Sequence, residues 1–449
     1  MSLYIPSKYV IINQKMNICP PKGGYFMNVP DFYGQYVQIL KDELIPAMGC
    51  TEPIAIAYAA ANARAILGAL PDRVEVSVSG NILKNVKSVT VPHTGGLRGI
   101  PAAAAVGIVS GDASRELEVI ADLTDADIAE THEFLNRVPI SVTHADTPNI
   151  FDIMITLYAE NHSAYVRITD HHTNIVSMRK DSDVLFEKHT EPQSSSNNDY
   201  SVLNIRDIID FAEHSDISPL KSCLERQIAY NMAISEEGMR NDYGANIGST
   251  LLSYGKNDIY QFMRAYAAAG SDARMNGCEM PVIICSGSGN QGITASVPVI
   301  VYAREKGHSH EQLLRALILS NLVTLHLKSG IGTLSAYCGV VSAGVGAAAG
   351  VAFLDGGRYD TISHTIVNAL AMDSGIICDG AKASCAAKIA SAVDAGLLGF
   401  MMYKNGNEFY SGEGLVVKGV ENTIRNIGSL ARNGMAETDK EIIRIMLKC

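Results

Sequence analysis

Two long stretches of this chain, residues 280–303 and 329–354, carry no charged residue at all. Each is long enough to cross a bilayer as a helix. The chain must therefore either span a membrane or bury two whole helices inside protein. Composition separates the two outcomes. Both stretches are crowded with Gly, Ala, Ser and Cys and poor in Leu and Phe. The first also contains Ser286-Gly287-Ser288-Gly289-Asn290-Gln291-Gly292, a string of polar groups that lipid cannot satisfy. The second repeats glycine at 339, 344, 346 and 350. Glycine costs about 1 kcal/mol against alanine in an exposed helix interior. Its repeated use predicts helices in near backbone contact at the centre of a helical domain.

The rest of the composition agrees with burial. Charged residues are 18% of the 449, below the usual ~25%. Hydrophobic residues are 47%, enough for large cores and two to three domains. A net charge of −11 argues against a nucleic-acid footprint and against a basic membrane-surface protein. Nine cysteines are too few, and odd in number, for a disulfide scaffold. No apolar signal region is evident at the N-terminus. The expected compartment is reducing and cytoplasmic, with the cysteines as free thiols or ligands.

The clearest boundary is the polar, aromatic-free segment 191–199, read as a linker. Residues 1–26 read as an extension, with Met27 as an alternative start. Residues 27–190 are expected to form a mixed α/β domain. Helices are predicted over 32–41, 54–70, 101–109 and 125–136, the last capped by Thr124. Strands are predicted over 74–79, 86–91, 140–143, 152–159, 164–169 and 174–178, the last three as an antiparallel meander. Residues 200–449 are expected to be nearly all helix. Ser309 to Gln312 and Thr438 to Glu441 read as capping boxes. The fold class is therefore α+β, a mixed domain followed by a mostly helical, catalytic one.

Chemistry-bearing residues concentrate in a few places. Cys338, Cys378 and Cys385 all fall in the helical half. Seven residues of straight helix rise about 10.5 Å, an awkward span for two ligands of one small cluster. Asp379-Gly380 offers a break, placing Cys378 on a turn and Cys385 on the next helix. Three thiolates with one open iron site describe a 4Fe–4S cluster acting as a Lewis acid. Simple packing competes, because free cysteine is among the most buried residue types. Cys50 precedes Thr51-Glu52-Pro53 and a long helix, where helix N–H groups favour a thiolate. It is a candidate base or nucleophile, and equally a buried helix-start cysteine. The 286–292 turn feeds a helix start and can offer backbone N–H groups to an anion, but it is neither a P-loop nor a Rossmann fingerprint. His93, in Pro92-His93-Thr94-Gly95-Gly96, is a candidate substrate contact or a structural histidine. His171-His172 reads as a solvated turn, and His326 with Lys328 as cations closing a helix.

Met48-Gly49-Cys50-Thr51-Glu52-Pro53, the 286–292 loop and the trio Cys338, Cys378 and Cys385 together resemble the L-cysteine desulfidase family, related to the iron–sulfur L-serine dehydratases. The resemblance runs from about Met27 to the C-terminus. It implies a PLP-independent β-elimination of L-cysteine to hydrogen sulfide, ammonia and pyruvate. It implies that Cys338, Cys378 and Cys385 hold a 4Fe–4S cluster and that Cys50 is the catalytic thiol; Glu52 and His93 are the further catalytic candidates. Ser286, Ser288, Asn290 and Gln291 match the substrate loop less tightly. Serine dehydratases carry a serine-rich motif where this chain has Gly49-Cys50-Thr51-Glu52, a departure that favours cysteine as substrate. In related serine dehydratases a C-terminal cysteine caps the open iron, which makes Cys449 a candidate tail cap and a frayed tail its alternative.

Competing readings are an L-serine dehydratase, a PLP-dependent cysteine lyase using Lys328 or Lys382, and a non-catalytic cysteine- or redox-sensing cluster protein. Expected partners are a small amino-acid substrate and a second copy in a homodimer, with no nucleic acid and no membrane.

Overall fold

A computed structural model describes residues 32–48, 51–188, 198–256, 258–332 and 335–447. Cys50, Cys449, the 1–26 extension and most of the 191–199 linker lie outside the described residues.

Helix α1 (Phe32–Glu43) buries Tyr33, Tyr36, Ile39 and Leu40, a stripe at helical spacing. The short strand β1 (Pro46–Met48) carries the chain to α2 (Thr51–Leu67). A mixed unit follows, comprising β2 (Arg73–Val78), α3 (Gly80–Val86), α4 (Gly99–Ser110), α5 (Asp125–Arg137), β3 (Ile140–His144), β4 (Asp152–Ala159), β5 (His162–Thr169), β6 (Ile175–Lys180) and β7 (Asp183–Glu187). Its six strands lie in the order β3-β2-β4-β5-β6-β7. The β2–β3 pair is parallel and the other pairs are antiparallel. β2 and β4 show period-two burial, and α2 packs on β4 and β5. α2 is buried nearly all round because α4 covers its other side.

The helical unit comprises α6 (Ile205–His214), α7 (Lys221–Arg240), α8 (Ile247–Tyr254), α9 (Ile259–Met275), β8 (Pro281–Ile283), α10 (Gly289–Lys306), α11 (His310–Ile331), α12 (Gly339–Leu354), α13 (Tyr359–Asp373), α14 (Cys385–Lys404), α15 (Val420–Ser429) and α16 (Ala436–Leu447). α12 is the central rod, packed against α10, α11, α13 and α14. Its glycines do what their spacing predicts. A Cβ on Gly344 would lie 2.5 Å from the Ala392 carbonyl oxygen of α14. The two uncharged stretches are thus core helices. Among the described residues only α14 is long and apolar enough to cross a membrane, and half of that stretch is buried.

The packing crosses the expected boundaries at both ends. α1 belongs to the hydrophobic core of the helical unit, and Ile443 of α16 to that of the mixed unit. β1 pairs antiparallel with β8, matching Pro46 to Ile283 and Met48 to Pro281. The segment that leads to Cys50 is therefore pinned to the helical unit.

Several local expectations are corrected. Residues 86–91 are not a strand. α3 ends at Val86, and the next residues turn, held by the Val91 N–H on the Leu97 carbonyl at 2.8 Å. Val86, Val89 and Val91 are buried all the same, which is why the run looked like a strand. Thr438 is no cap, because α16 already begins at Ala436. The edge strand β7, exposed on both faces, carries no burial pattern to predict it. The capping boxes at Thr124 and Ser309 both form.

Candidate functional site

The three cysteines meet because a minimal ladder brings distant segments together. Residues 336–338 run antiparallel to 376–378, with Tyr337 paired to Ile377. The Cys338 N–H donates to the Ile376 carbonyl at 3.0 Å, and the Cys378 N–H to the Ala336 carbonyl. Cys338 and Cys378 become diagonal neighbours on one face, and their thiols hydrogen-bond. Gly380, with φ +94°, then turns the chain so that Cys385 opens α14. Its thiol lies 3.6 Å from the Gly380 carbonyl and within electrostatic reach of the other two. Cys338 is the N-cap of α12 and Cys385 the first residue of α14. Both sit at positive helix ends, where thiolates are favoured.

Charge in the pair is divided. Cys378 is held as the anion: Cys338 donates to it, and the Gly380 N–H, Lys84 and Lys328 favour its charge against burial. Cys338 keeps its proton, pushed up by that same hydrogen bond and by burial. Burial pushes the Cys385 thiol up. It also pulls the Lys328 ammonium down, against the pull of Cys378 and Cys338. Lys328 is thus a half-buried lysine facing the thiols, with Nζ donating to the Gly332 carbonyl at 3.0 Å. It lies in the last turn of α11 and so closes that helix, as its position in the sequence predicts. His326 bonds Glu421 at 2.7 Å instead. Asp379 anchors the loop through Lys382 and Lys388.

The mixed unit closes one side. The Lys84 carbonyl of α3 sits so close to Gly380 that no Cβ fits there. The Lys84 side chain is 3% exposed and ion-paired with Asp439 of α16. The next residue, Asn85, donates to Glu52 at 3.2 Å, which ties the start of α2 to the same helix. α2 begins at Thr51 itself, with Pro53 in its first turn. His93 adopts φ 59°, a conformation uncommon outside glycine. Its backbone N–H and Nδ1 both lie on Glu279 Oε1, at 3.0 and 3.1 Å, linking the two units. His172 is not a solvated side chain. It packs edge-on against Phe151, and burial lowers its pKa while Glu52 opposes.

The 286–292 turn sits between β8 and α10. Ser286 and Gly287 both have positive φ, and Ser288 caps α10 by accepting from the Gln291 N–H at 3.5 Å. The Ser286 N–H bonds the half-buried Glu43 carboxylate, which Tyr200 also contacts; burial raises the Glu43 pKa against both bonds. Asn290 and Gln291 are each 7% exposed. Asn290 Oδ1 accepts from Arg274 at 3.3 Å. Gln291 rests on Gly339, the residue after Cys338. Sequence reasoning missed Lys84, Arg274, Glu279 and Asp439. None stands in a motif, and each is recruited across the fold.

A 4Fe–4S cluster asks for three thiolates that bind three different irons, with compensating positive charge. The donor chemistry fits: three convergent thiols, two helix N-termini and the lysines Lys84 and Lys328. Among the described residues no group of three His, Cys, Asp or Glu is arranged to grip a single ion.

Comparison with known proteins agrees in kind. The family model described as serine dehydratase alpha chain matches residues 114–444. A UPF0597 protein of Desulfitobacterium hafniense is 55% identical over 424 residues, covering 94% of this chain and 99% of its own length. A UPF0597 protein of Lachnoclostridium phytofermentans is 50% identical over 415 residues, covering 92% of this chain and 100% of its own. One from Treponema denticola is 46% identical over 421 residues, covering 92% and 98%.

Proposed function

The chain belongs to the serine dehydratase alpha-chain family, and from that premise we propose that it is a PLP-independent carbon–sulfur lyase. L-Cysteine and water would give hydrogen sulfide, ammonia and pyruvate. A lyase of the dehydratase kind fits the family. The preference for cysteine rests on Gly49-Cys50-Thr51-Glu52, where serine dehydratases carry a serine-rich motif.

The observation that carries the reading is the meeting of Cys338, Cys378 and Cys385 at the helix starts of α12 and α14, faced by Lys84 and Lys328. A 4Fe–4S cluster held by these thiols would supply a Lewis-acidic iron for the leaving thiolate.

The chain's own groups do the rest. Cys50, which the sequence places just before α2, would take the α-proton on its thiolate, the form that a helix start favours in general. Asn85 holds Glu52 and so keeps that helix start against α3. With Nδ1 on Glu279, His93 leaves Nε2 as the ring nitrogen that would face the substrate. Ser286, Ser288, Asn290 and Gln291 would receive the substrate's polar groups. The 2-aminoacrylate formed by elimination tautomerises and hydrolyses in water to pyruvate and ammonia.

A second reading, L-serine dehydratase, is favoured by the description of the family model itself. The test is anaerobic. Iron and sulfide are quantified against protein after reconstitution, and pyruvate is assayed from L-cysteine and L-serine side by side. Pyruvate from cysteine supports the proposal, and pyruvate from serine alone overturns it in favour of the second reading. Cys338→Ser should lose both iron and turnover. Full activity in that variant would sink the scheme.

A further inference from the structure

Two side chains of opposite appetite meet at the first turn of α10, one borne by it and one laid across it. Gln291, in the first turn of α10, has a buried Oε1 with no hydrogen-bond donor. The amide is pressed onto the start of α12: a Cβ at Gly339 would lie 2.6 Å from Gln291 Cδ. A buried amide oxygen left without a donor is unfavourable and rare in folded proteins. A ligand bearing an N–H group would satisfy it.

The complementary group is Arg274, at the end of α9. Its guanidinium covers Gly289, the first residue of α10, so closely that no side chain fits at 289. It also donates to Asn290 Oδ1 at 3.3 Å. Ser288 caps Gln291, while the N–H groups of Gly289 and Asn290 have no acceptor within the helix. A guanidinium above a helix N-terminus is a carboxylate site by charge and by donor geometry.

We propose that these groups form a zwitterion cradle. Arg274 and the first turn of α10 take the α-carboxylate of an amino acid, and Gln291 Oε1 accepts from its α-ammonium group. Since Gln291 rests on the residue after Cys338, the bound amino acid lies beside the three thiols. The assignment of this amino acid as the lyase substrate rests on the function proposed above; the binding itself does not. The cradle admits free α-amino acids and rejects compounds missing either end.

The test uses L-alanine, which has both ends and no leaving group, with propionate and ethylamine as the single-ended probes. Calorimetry on the anaerobically prepared, full-length protein measures binding without turnover. Inhibition of any L-cysteine turnover is measured in parallel. L-Alanine should bind at least about tenfold more tightly than either fragment. Arg274→Gln should weaken L-alanine and propionate by about tenfold or more and leave ethylamine unchanged. Arg274→Lys should recover part of the loss. Gln291→Leu should weaken L-alanine and ethylamine and spare propionate. Equal weakening of all three probes in both variants, or no weakening, overturns the cradle. Selective L-alanine binding without cysteine turnover would keep the cradle and sink the lyase reading. Turnover with a KM for cysteine unmoved by Arg274→Gln would do the reverse.

Discussion

The two units treat buried polar groups in opposite ways. In the mixed unit Asp152 is fully buried and fully engaged. Arg167 donates to it twice, at 3.0 and 2.7 Å, and Thr147 and Asn149 add bonds at 2.9 and 3.2 Å. In the helical unit, buried side-chain atoms are left without partners. Among the described residues every such atom belongs to a residue between 215 and 373. They include Gln291 Oε1, Asp272 Oδ1 and Asp373 Oδ2, and burial pushes both of those carboxyls up to about 6. A satisfied network makes a rigid support. The unsatisfied groups gather in the unit that carries the three thiols, as expected where binding takes precedence over stability.

The contrast can be broken most severely at its satisfied end. Arg167→Met leaves Asp152 as a buried charge with only neutral partners. The expected loss is about 3 kcal/mol in urea unfolding, the lower end of the range for broken buried pairs because Arg167 is partly exposed. A loss below about 1 kcal/mol, the scale of an exposed pair, would show that the clasp is no firmer than a surface ion pair.

A smaller effect is expected at the contact between the units. Gly380→Ala puts a Cβ into the Lys84 carbonyl at a residue with φ +94°. Overpacking of this kind costs about 1–3 kcal/mol. Because the strain falls between Cys378 and Cys385, iron content should fall along with the melting temperature. A destabilised variant that retains iron normally would separate the support from the site.

The smallest effect concerns pH. Asp272 accepts from the Gly248 N–H at 3.0 Å, but burial raises its carboxyl from the ordinary range to about 6. Between those two values the unfolded chain loses its proton while the folded chain keeps it. This group therefore makes the protein less stable as pH rises through that window, and the decline levels off above about 6. Asp272→Asn should flatten that slope when urea midpoints are compared below and above the window. An unchanged slope would assign the pH dependence elsewhere, with Asp373 as the next carboxyl to replace.

Much of the fold was legible because its signals are local. The Thr124 cap and the Ser309 box are four-residue patterns. The meander β4-β5-β6 follows alternation and turns. The glycine-rich α12 announced its own burial. Residues 86–91 misled because β-branched burial in a turn looks like a strand when only the composition is read. Of the candidate site, the trio of cysteines and the 286–292 turn were visible as residue types. Arg274 and Lys84 were not, since an arginine or a lysine within a helix carries no signal of what it faces.

The sequence by itself determined the helical and extended segments, the caps and the residue types available for chemistry, because these depend on neighbours a few positions away. Tertiary structure decided which of those residues meet. The 336–338 segment finds 376–378 through a two-stranded bridge. Lys84 reaches Asp439 across 355 positions, and α1 leaves its sequence neighbours to join the helical core. Such contacts form when large apolar faces are buried against one another, and no short window of sequence records which faces will pair.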